Sequence, residues 1–304
     1  MIGFLQNLLD ALSLGSLYAL AALGIGLLFG ILRLVNFAHG DFITLGAYAL
    51  IVPTSADIAT LLIGGWNWAA LIPAVVVIVV VIALLSDIFV FRPLRTSSAP
   101  ALMTASFALS FIIQNGILMV YGARPKAINL WSGLSDQVQL GPLTTPKLNL
   151  VVIGVTIMMM LVLTFFLKRT RYGIQMRAAA ENFRMARHLG VDANFVIGLA
   201  FGISGVLAAA VSLLFVSQTG TLTQTMGQPI ALFAFIATVV GGMGSLVGAV
   251  VGGFAVGIIV VMLQAYLPPD LRSFRDAFAF GLIILVLVAR PSGLIPTRGL
   301  IERV

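Results

Sequence analysis

The sequence predicts an all-α integral membrane protein that crosses the bilayer several times as one transmembrane domain, residues 1–304. Of the 304 residues, 60% are hydrophobic and only 9% are charged, whereas soluble domains carry roughly 25% charged residues. Apolar runs of about 20 residues, the length that spans a bilayer, recur along almost the whole chain. A secreted, cytosolic or nucleic-acid-binding domain is therefore excluded, and the net charge of +7 is interpreted as a topology signal.

Seven apolar segments are predicted to be regular membrane spans, and two more are abnormal. Segment 41–64 is interrupted by Pro53 and by polar residues that include Asp57, whereas segment 228–241 is short. Unwound backbone is tolerated in a membrane only where it lines a cavity, so such segments in both halves of a chain indicate the path of an inverted-repeat transporter. With both included, about nine crossings are expected. The regular spans are 8–32, 68–91, 100–121, 148–167, 193–217, 245–266 and 276–290.

The polar segment 168–192 is predicted to lie in the cytoplasm. Lys and Arg concentrate in the cytoplasmic loops of membrane proteins, and this segment is rich in both. With nine crossings, the N-terminus is then outside the cell and the C-terminus is in the cytoplasm. The basic residues of the segment are Lys168, Arg169, Arg171, Arg177, Arg184 and Arg187.

Residues 176–190 are predicted to form one short amphipathic helix within this loop. Small and apolar residues such as Ala186 fall on one side, and Arg177 and Glu181 fall on the other. Gly190 stands where a left-handed C-cap ends a helix. Two interpretations are open: a helix that lies on anionic lipid, or a docking helix for a cytoplasmic partner, which the small residues would let approach closely.

A polar group precedes the first abnormal segment, with Asn36, His39 and Asp41 around Gly40. These side chains could bind a metal or relay protons, or they could cap and gate the second helix, because Asp41 falls at its N-terminus. A structural metal site needs about four ligands, and the chain has no cysteine and only one other histidine. Capping and gating are favoured, and no metal site is expected.

A glycine-rich stretch follows the second abnormal segment. Gly241, Gly242 and Gly244 are expected to break the helix, since glycine costs about 1 kcal/mol relative to alanine in a helix, and to line the path. This stretch and the Asn36 group are expected to approach each other near the cytoplasmic side. Gln114 and Asn115 in the fourth span are polar but uncharged. They are candidates for the path or for interhelical hydrogen bonds.

Four motifs occur in order along this hydrophobic frame. They are 36–41 followed by Gly46, 177–181 through 189–190, 241–245 with Gly248, Gly252 and Gly253, and 291–294. Together they resemble the permease subunit of bacterial branched-chain amino acid ABC importers, the LivH type. The resemblance runs from about residue 12 to residue 296.

The resemblance implies an importer subunit of the bacterial inner membrane, with no catalytic residues and no cofactor. Such a subunit pairs with a second, related permease, binds two cytoplasmic ATPases, receives substrate from a periplasmic binding protein, and contacts membrane lipid but no nucleic acid. The implied substrate is a branched-chain or other hydrophobic amino acid, and urea or a short amide is the alternative. The resemblance also implies that the predicted helix 176–190 is the coupling helix, which contacts the ATPases. Its candidate residues are Arg177, Ala180, Glu181, Arg184, Ala186 and Gly190.

The coupling loop departs from the pattern Glu-Ala-Ala-x-x-x-Gly that ABC importers often carry. Only Ala186 and Gly190 agree with it. Arg184 stands where the glutamate is expected, and Glu181 is a candidate substitute one helical turn earlier.

Two other classes of protein are less consistent with the sequence. A stand-alone channel or ion-driven secondary carrier usually has acidic or histidine groups near the membrane midplane, and the spans offer none clearly placed there. A membrane enzyme needs a nucleophile, a metal or a carboxylate pair, and the sequence shows no such cluster.

Overall fold

The computed structural model describes residues 2–32, 35–54, 59–95, 97–291 and 293–295, and only the backbone of Ile2, Leu32, Ser132, Leu140, Phe183 and Arg184. Ser55 and Asp57 of the first abnormal segment and Ser292 of the last motif lie outside these ranges. The α-helices are α1 (Ile2–Leu32), α2 (His39–Tyr48), α3 (Trp68–Ser86), α4 (Ala99–Tyr121), α5 (Lys147–Arg169), α6 (Arg171–Glu181), α7 (Phe183–His188), α8 (Ala193–Thr219), α9 (Gly227–Gly241), α10 (Leu246–Tyr266) and α11 (Arg275–Ala289).

The expected all-α membrane protein is confirmed. Within the described residues, six helices are long and apolar enough to cross a membrane: α1, α3, α4, α5, α8 and α10. Helices α9 and α11 have 15 residues each and α2 has only 10, against the roughly 20 that a regular span needs. The count of nine crossings is therefore not confirmed.

The first abnormal segment is helical only in its first part. After α2 the chain is extended, with an antiparallel bridge between Ile51 and Leu61, and a short 3-10 turn at Ile63–Gly65 precedes α3. Pro53 explains the change, because proline has no N–H to donate and disfavours helical backbone in the residue before it. Val52 instead donates its N–H to the carbonyl of Thr60 at 2.8 Å.

Helix α1 forms the centre of the bundle. Its most apolar stretch is 83% buried inside the protein, against 17% for α4. Helix α10 packs directly on α1, and a Cβ at Gly253 or Gly257 would collide with the α1 backbone at Ala19 or Gly15. Small residues at these positions allow the close approach on which helix packing in membranes depends.

The two ends of α1 define the two sides of the bundle. On the N-terminal side, where α1 begins, Ser13 donates to the side chain of Asn149 at the start of α5 (3.1 Å) and accepts from Gln218 at the end of α8 (3.0 Å). On the other side, called the loop side, α1 ends beside α6.

The described residues also form two small antiparallel ladders. One pairs β1 (Lys126–Ala127) with β4 (Thr221–Leu222), and the other pairs β2 (Gln137–Leu140) with β3 (Leu143–Pro146).

Helices α2 and α9 are half-helices whose N-terminal ends meet inside the bundle. The Gly227 N–H donates to Thr44 Oγ1 at 3.1 Å, and Gly227 lies against the carbonyl of Gly40. From this contact α2 runs to the N-terminal side, where the Tyr121 hydroxyl donates to the carbonyl of Tyr48 (3.3 Å). Helix α9 runs the opposite way. This is the relation expected between the broken helices of an inverted-repeat transporter.

The predicted single helix at 176–190 is wrong in one respect, because the structure divides it into α6 and α7. Asn182, between them, has extended backbone, with φ −149° and ψ 96°. Its side chain accepts from the N–H of Met185 at 3.0 Å. Asparagine favours such helix starts because its side chain competes for backbone hydrogen bonds.

Candidate functional site

A cleft of about 660 Å³ lies on the flank of the bundle, beside the start of α9. Its walls come from α1, the segment before α2, and helices α4, α9 and α11. Thr225, Gln228 and Pro229 on this wall are exposed. The polar lining residues are Asn36, Ser110, Thr225, Gln228 and Asp276, and the aromatic ones are Phe37, Phe107, Phe233, Phe235 and Phe280.

The aromatic rings form two groups on the wall of the cleft. Phe37 stacks on Phe107 with ring centroids 4.2 Å apart, and Phe235 tilts against Phe37 at 6.1 Å. Phe233 stacks on Phe280 at 5.4 Å. Because ligand pockets combine such apolar walls with a few placed polar groups, the cleft is suited to a small solute with an apolar part.

A polar network connects this wall to α2. Gln114 in α4 donates to Asp41 Oδ1 and to Ser110 Oγ, both at 2.9 Å, and Gln228 in α9 donates to the same Ser110 oxygen at 3.2 Å. The Asp41 side chain is fully buried. The network therefore joins α2, α4 and α9 at the point where the two half-helices meet.

Asn36 lines the cleft, and only the oxygen of its side-chain amide is hydrogen-bonded. Its Oδ1 accepts the N–H of Ala38 at 3.1 Å, and it is only 2% exposed. Its Nδ2 has no hydrogen-bond partner among the described residues.

His39 is fully buried at the start of α2. Its Nδ1 is 3.1 Å from Ser204 Oγ in α8, and its ring packs on Gly24, where a Cβ would come within 2.6 Å of the ring. Within the described part of the chain, no three His, Asp or Glu side chains converge as metal ligands would. Of the two predicted amides in α4, Asn115 lies apart, because it donates to the carbonyl of Phe111 in its own helix (2.8 Å).

The glycine-rich turn after α9 lies on the loop side, at some distance from α2. Gly242 and Gly244 have positive φ, 112° and 87°, which glycine alone adopts readily, so the predicted helix break is confirmed. The start of α2 contacts Gly227, the first residue of α9, about 21 Å along that helix from Gly241. The expected approach of this turn to the start of α2 is therefore not found.

The turn instead meets two other motifs of the sequence. The N–H groups of Leu294 and Ile295 donate to the carbonyls of Val240 (2.7 Å) and Gly241 (3.0 Å), so the last motif closes over the end of α9. Gly244 also lines a small cavity of about 80 Å³ together with Arg177 and Ala180 of α6. The turn thus links α9 to the loop helices.

The predicted loop residues divide into a buried and an exposed set. Ala186 is buried and Ala180 is partly buried, whereas Arg177 and Glu181 are exposed. Gly190 has φ 85° with nothing within 4 Å of a Cβ built on it, which confirms the left-handed C-cap. The side chain of Arg184 lies outside the described part of the structure.

Ser110 in the cleft and Ser204 beside His39 were not predicted from the sequence. Ser106, Ser110 and the predicted Gln114 recur every four residues on α4, and this polar stripe could have revealed Ser110. Ser204 in α8 carries no such signal, because only tertiary packing brings it to His39.

A helical membrane protein with two half-helices that meet beside a lateral cleft falls in the class of membrane transport proteins. The chain belongs to the family of branched-chain amino acid transport system permease components, which matches residues 7–287.

Several characterised relatives are similar over nearly the whole chain. The high-affinity branched-chain amino acid transport system permease LivH of Escherichia coli (strain K12) is 31% identical, over 96% of this chain and 95% of its own length. The corresponding permease BraD of Pseudomonas aeruginosa has the same identity and coverage. The autoinducer 2 import system permease LsrC of Enterobacter sp. (strain 638) is 31% identical, over 87% of this chain and 83% of its own. No solved structure matches the chain.

Proposed function

We propose that the chain forms half of the translocation path of an ATP-driven importer of branched-chain or other hydrophobic amino acids. The observation that carries this proposal is the aromatic cleft at the start of α9, with the network from Asp41 to Gln228 behind it. The cleft joins a wide apolar surface to a few fixed amides and hydroxyls. An amino acid with an aliphatic side chain needs the apolar surface for that side chain and the polar groups for its amino and carboxylate groups.

We infer a second, related permease as the partner that covers the cleft. Thr225 and Gln228 are exposed on its wall, and uncovered polar groups are costly against lipid.

Permeases of ABC importers work with ATPases and a substrate-binding protein. We propose that this chain assembles with two cytoplasmic ATPases, a permease partner of different sequence, and a periplasmic binding protein. The protein would lie in the bacterial inner membrane with the loop side in the cytoplasm.

The loop helices are the proposed docking site for the ATPases. Apolar side chains are exposed there beside the basic ones, including Met185 at 59% and Leu189 at 80%. Helix α6 also borders the small cavity that holds Gly244. A shift of the loop helices on ATP hydrolysis would thus reach the turn that ends α9, and through α9 the cleft.

Reconstitution tests the proposed function. The chain, its partner permease and the ATPases, in liposomes that contain ATP, should accumulate L-leucine supplied with the binding protein. Leucine uptake that does not depend on ATP would instead support a carrier or channel. Import of urea or a short amide in preference to leucine would support the alternative substrate.

The proposed orientation predicts opposite labelling of two cysteine variants. The natural chain has no cysteine, so each new thiol is a unique reporter. Gln139→Cys, exposed in β2, should react with a membrane-impermeant maleimide in intact cells, and Arg187→Cys, exposed in α7, should react only after the cells are opened. Labelling of Arg187→Cys in intact cells would contradict the orientation.

Gly190→Val is expected to uncouple ATP hydrolysis from uptake. Valine is strained at φ 85°, where a side chain costs about 1–2 kcal/mol, so the end of α7 should shift while the membrane bundle stays intact. The ratio of leucine taken up to ATP hydrolysed should fall several-fold.

Gly133→Val is the matched control, because Gly133 lies in the short 3-10 turn Ser132–Leu134 on the other side, with open space around it and no positive φ. It should leave that ratio unchanged. Normal coupling in Gly190→Val would count against the docking role of the loop helices.

A further inference from the structure

The orientation of the Asn36 amide is fixed by its hydrogen bond. Its Oδ1 must face the N–H of Ala38, since only the oxygen of the amide can accept. The Nδ2 group, with two N–H donors, is therefore the part left without a partner. A buried donor without an acceptor is unfavourable, so an oxygen acceptor from a solute would stabilise this group.

The residues that line the cleft together with Asn36 offer aromatic rings and no unpaired charge. Phe37, Phe107 and Phe235 provide the nearby ring wall. Of the described residues that line the cleft, Asp276 is the one with a charge, and its carboxylate is paired with Arg275 at 2.8 Å. A solute that enters the cleft meets no uncompensated charge on this wall.

The start of α9 makes the same region favourable for a negative group. Gln228 and Pro229, in the first turn of α9, line the cleft together with Asn36. The N-terminal end of a helix carries a partial positive charge, and transporters with broken helices use such ends to hold anionic substrate groups. Asp41, the nearest acidic side chain in sequence, is not among the lining residues and accepts from Gln114 instead.

We propose that Asn36 Nδ2 donates a hydrogen bond to the carboxylate of the transported amino acid while the aliphatic side chain lies against Phe37, Phe107 and Phe235. This inference rests on the proposed function and adds to it a specific contact between the permease and its substrate. It makes Asn36 a binding residue in addition to its contact with Ala38.

The variant Asn36→Asp separates these two contacts. Aspartate keeps an oxygen for the Ala38 N–H but replaces the N–H donors with a second oxygen, which repels a carboxylate. In the reconstituted complex, the initial rate of L-leucine uptake at low concentration should fall at least about tenfold, the equivalent of a lost contact of about 1.4 kcal/mol. Co-purification of the variant with the ATPases shows whether it folds and assembles, so that a loss of uptake can be assigned to the contact with the substrate.

Two further variants keep the test decisive. Asn36→Ser retains a short acceptor for Ala38 but cannot present the amide donor, so it should also lose uptake, and it gives the answer if Asn36→Asp fails to fold. Asn115→Ala, which removes an amide bonded within α4, should transport normally.

The outcomes distinguish this inference from the proposed function. Normal leucine uptake by Asn36→Asp, or by Asn36→Ser where the aspartate variant does not fold, would overturn the inference and leave the proposed function intact. Absence of ATP-driven leucine uptake in the natural complex would overturn both.

Discussion

Asp87→Asn is expected to lower the free energy of unfolding by about 3–5 kcal/mol, the usual loss when one partner of a buried ion pair is removed. Asp87 directly follows α3, and its two oxygens accept hydrogen bonds from Arg95 Nη2 at 2.7 and 2.8 Å. The two side chains are only 5% and 17% exposed. Arg95 also donates to Asn194 at the start of α8 (2.6 Å), so the loss would loosen α3 from α8 on the loop side.

The measurement is unfolding of the purified protein by SDS titration in mixed micelles. Asp136→Asn is the matched control, because its pair with Lys147 is 2.9 Å long but largely exposed, at 63% and 46%, and exposed pairs contribute about 0–1 kcal/mol. Equal effects of the two substitutions would show that burial does not decide the strength of the Asp87 pair. The double variant Asp87→Leu with Arg95→Met should recover most of the stability.

Gly227→Ala is expected to abolish transport and to destabilise the bundle by about 3 kcal/mol, at the upper end of the usual cost of overpacking. A methyl group at Gly227 would overlap the carbonyl of Gly40 and crowd Thr44 Oγ1. These atoms belong to backbone and to a fully buried side chain, so they cannot move aside. The two half-helices would separate, and the network that reaches Gln228 would break with them.

Gly116→Ala is the control, because Gly116 is also helical but has nothing within 4 Å of its Cβ position. It should be neutral or slightly stabilising, since alanine favours helix by about 1 kcal/mol over glycine. Both variants are compared by thermal unfolding in detergent and by leucine uptake in liposomes. Transport by Gly227→Ala at the natural rate would refute a tight contact between α2 and α9.

The membrane spans were predictable from the sequence because the bilayer imposes a length and an apolar composition on each of them. The predicted span 68–91, which includes α3, coincides with the helical span Trp68–Phe91 in the structure. The left-handed backbone at Gly190 was also predictable, because few other residues adopt it. The division of the loop helix at Asn182 was missed, since the apolar pattern continues across the break while the side chain of one residue starts a new helix.

The sequence predicted several residues of the candidate site but not how they are arranged. Asn36, His39, Asp41 and Gln114 do gather around the start of α2, whereas Asn115, next to Gln114 in sequence, bonds within its own helix. Adjacent residues on a helix point about 100° apart, and the sequence alone does not say which direction faces the network. The glycines after α9 were expected near this group and lie instead beside the loop helices.

The sequence by itself determined that this is a helical membrane protein of the branched-chain amino acid permease family, because composition, span length and local motifs are properties of the chain read in order. Tertiary structure alone decided that Gly40 meets Gly227, that Gln228 completes the network from Asp41, and that Asn36 is part of the lining of the cleft. These contacts join residues more than a hundred positions apart. They depend on how closely helices pack, which local spacing does not encode.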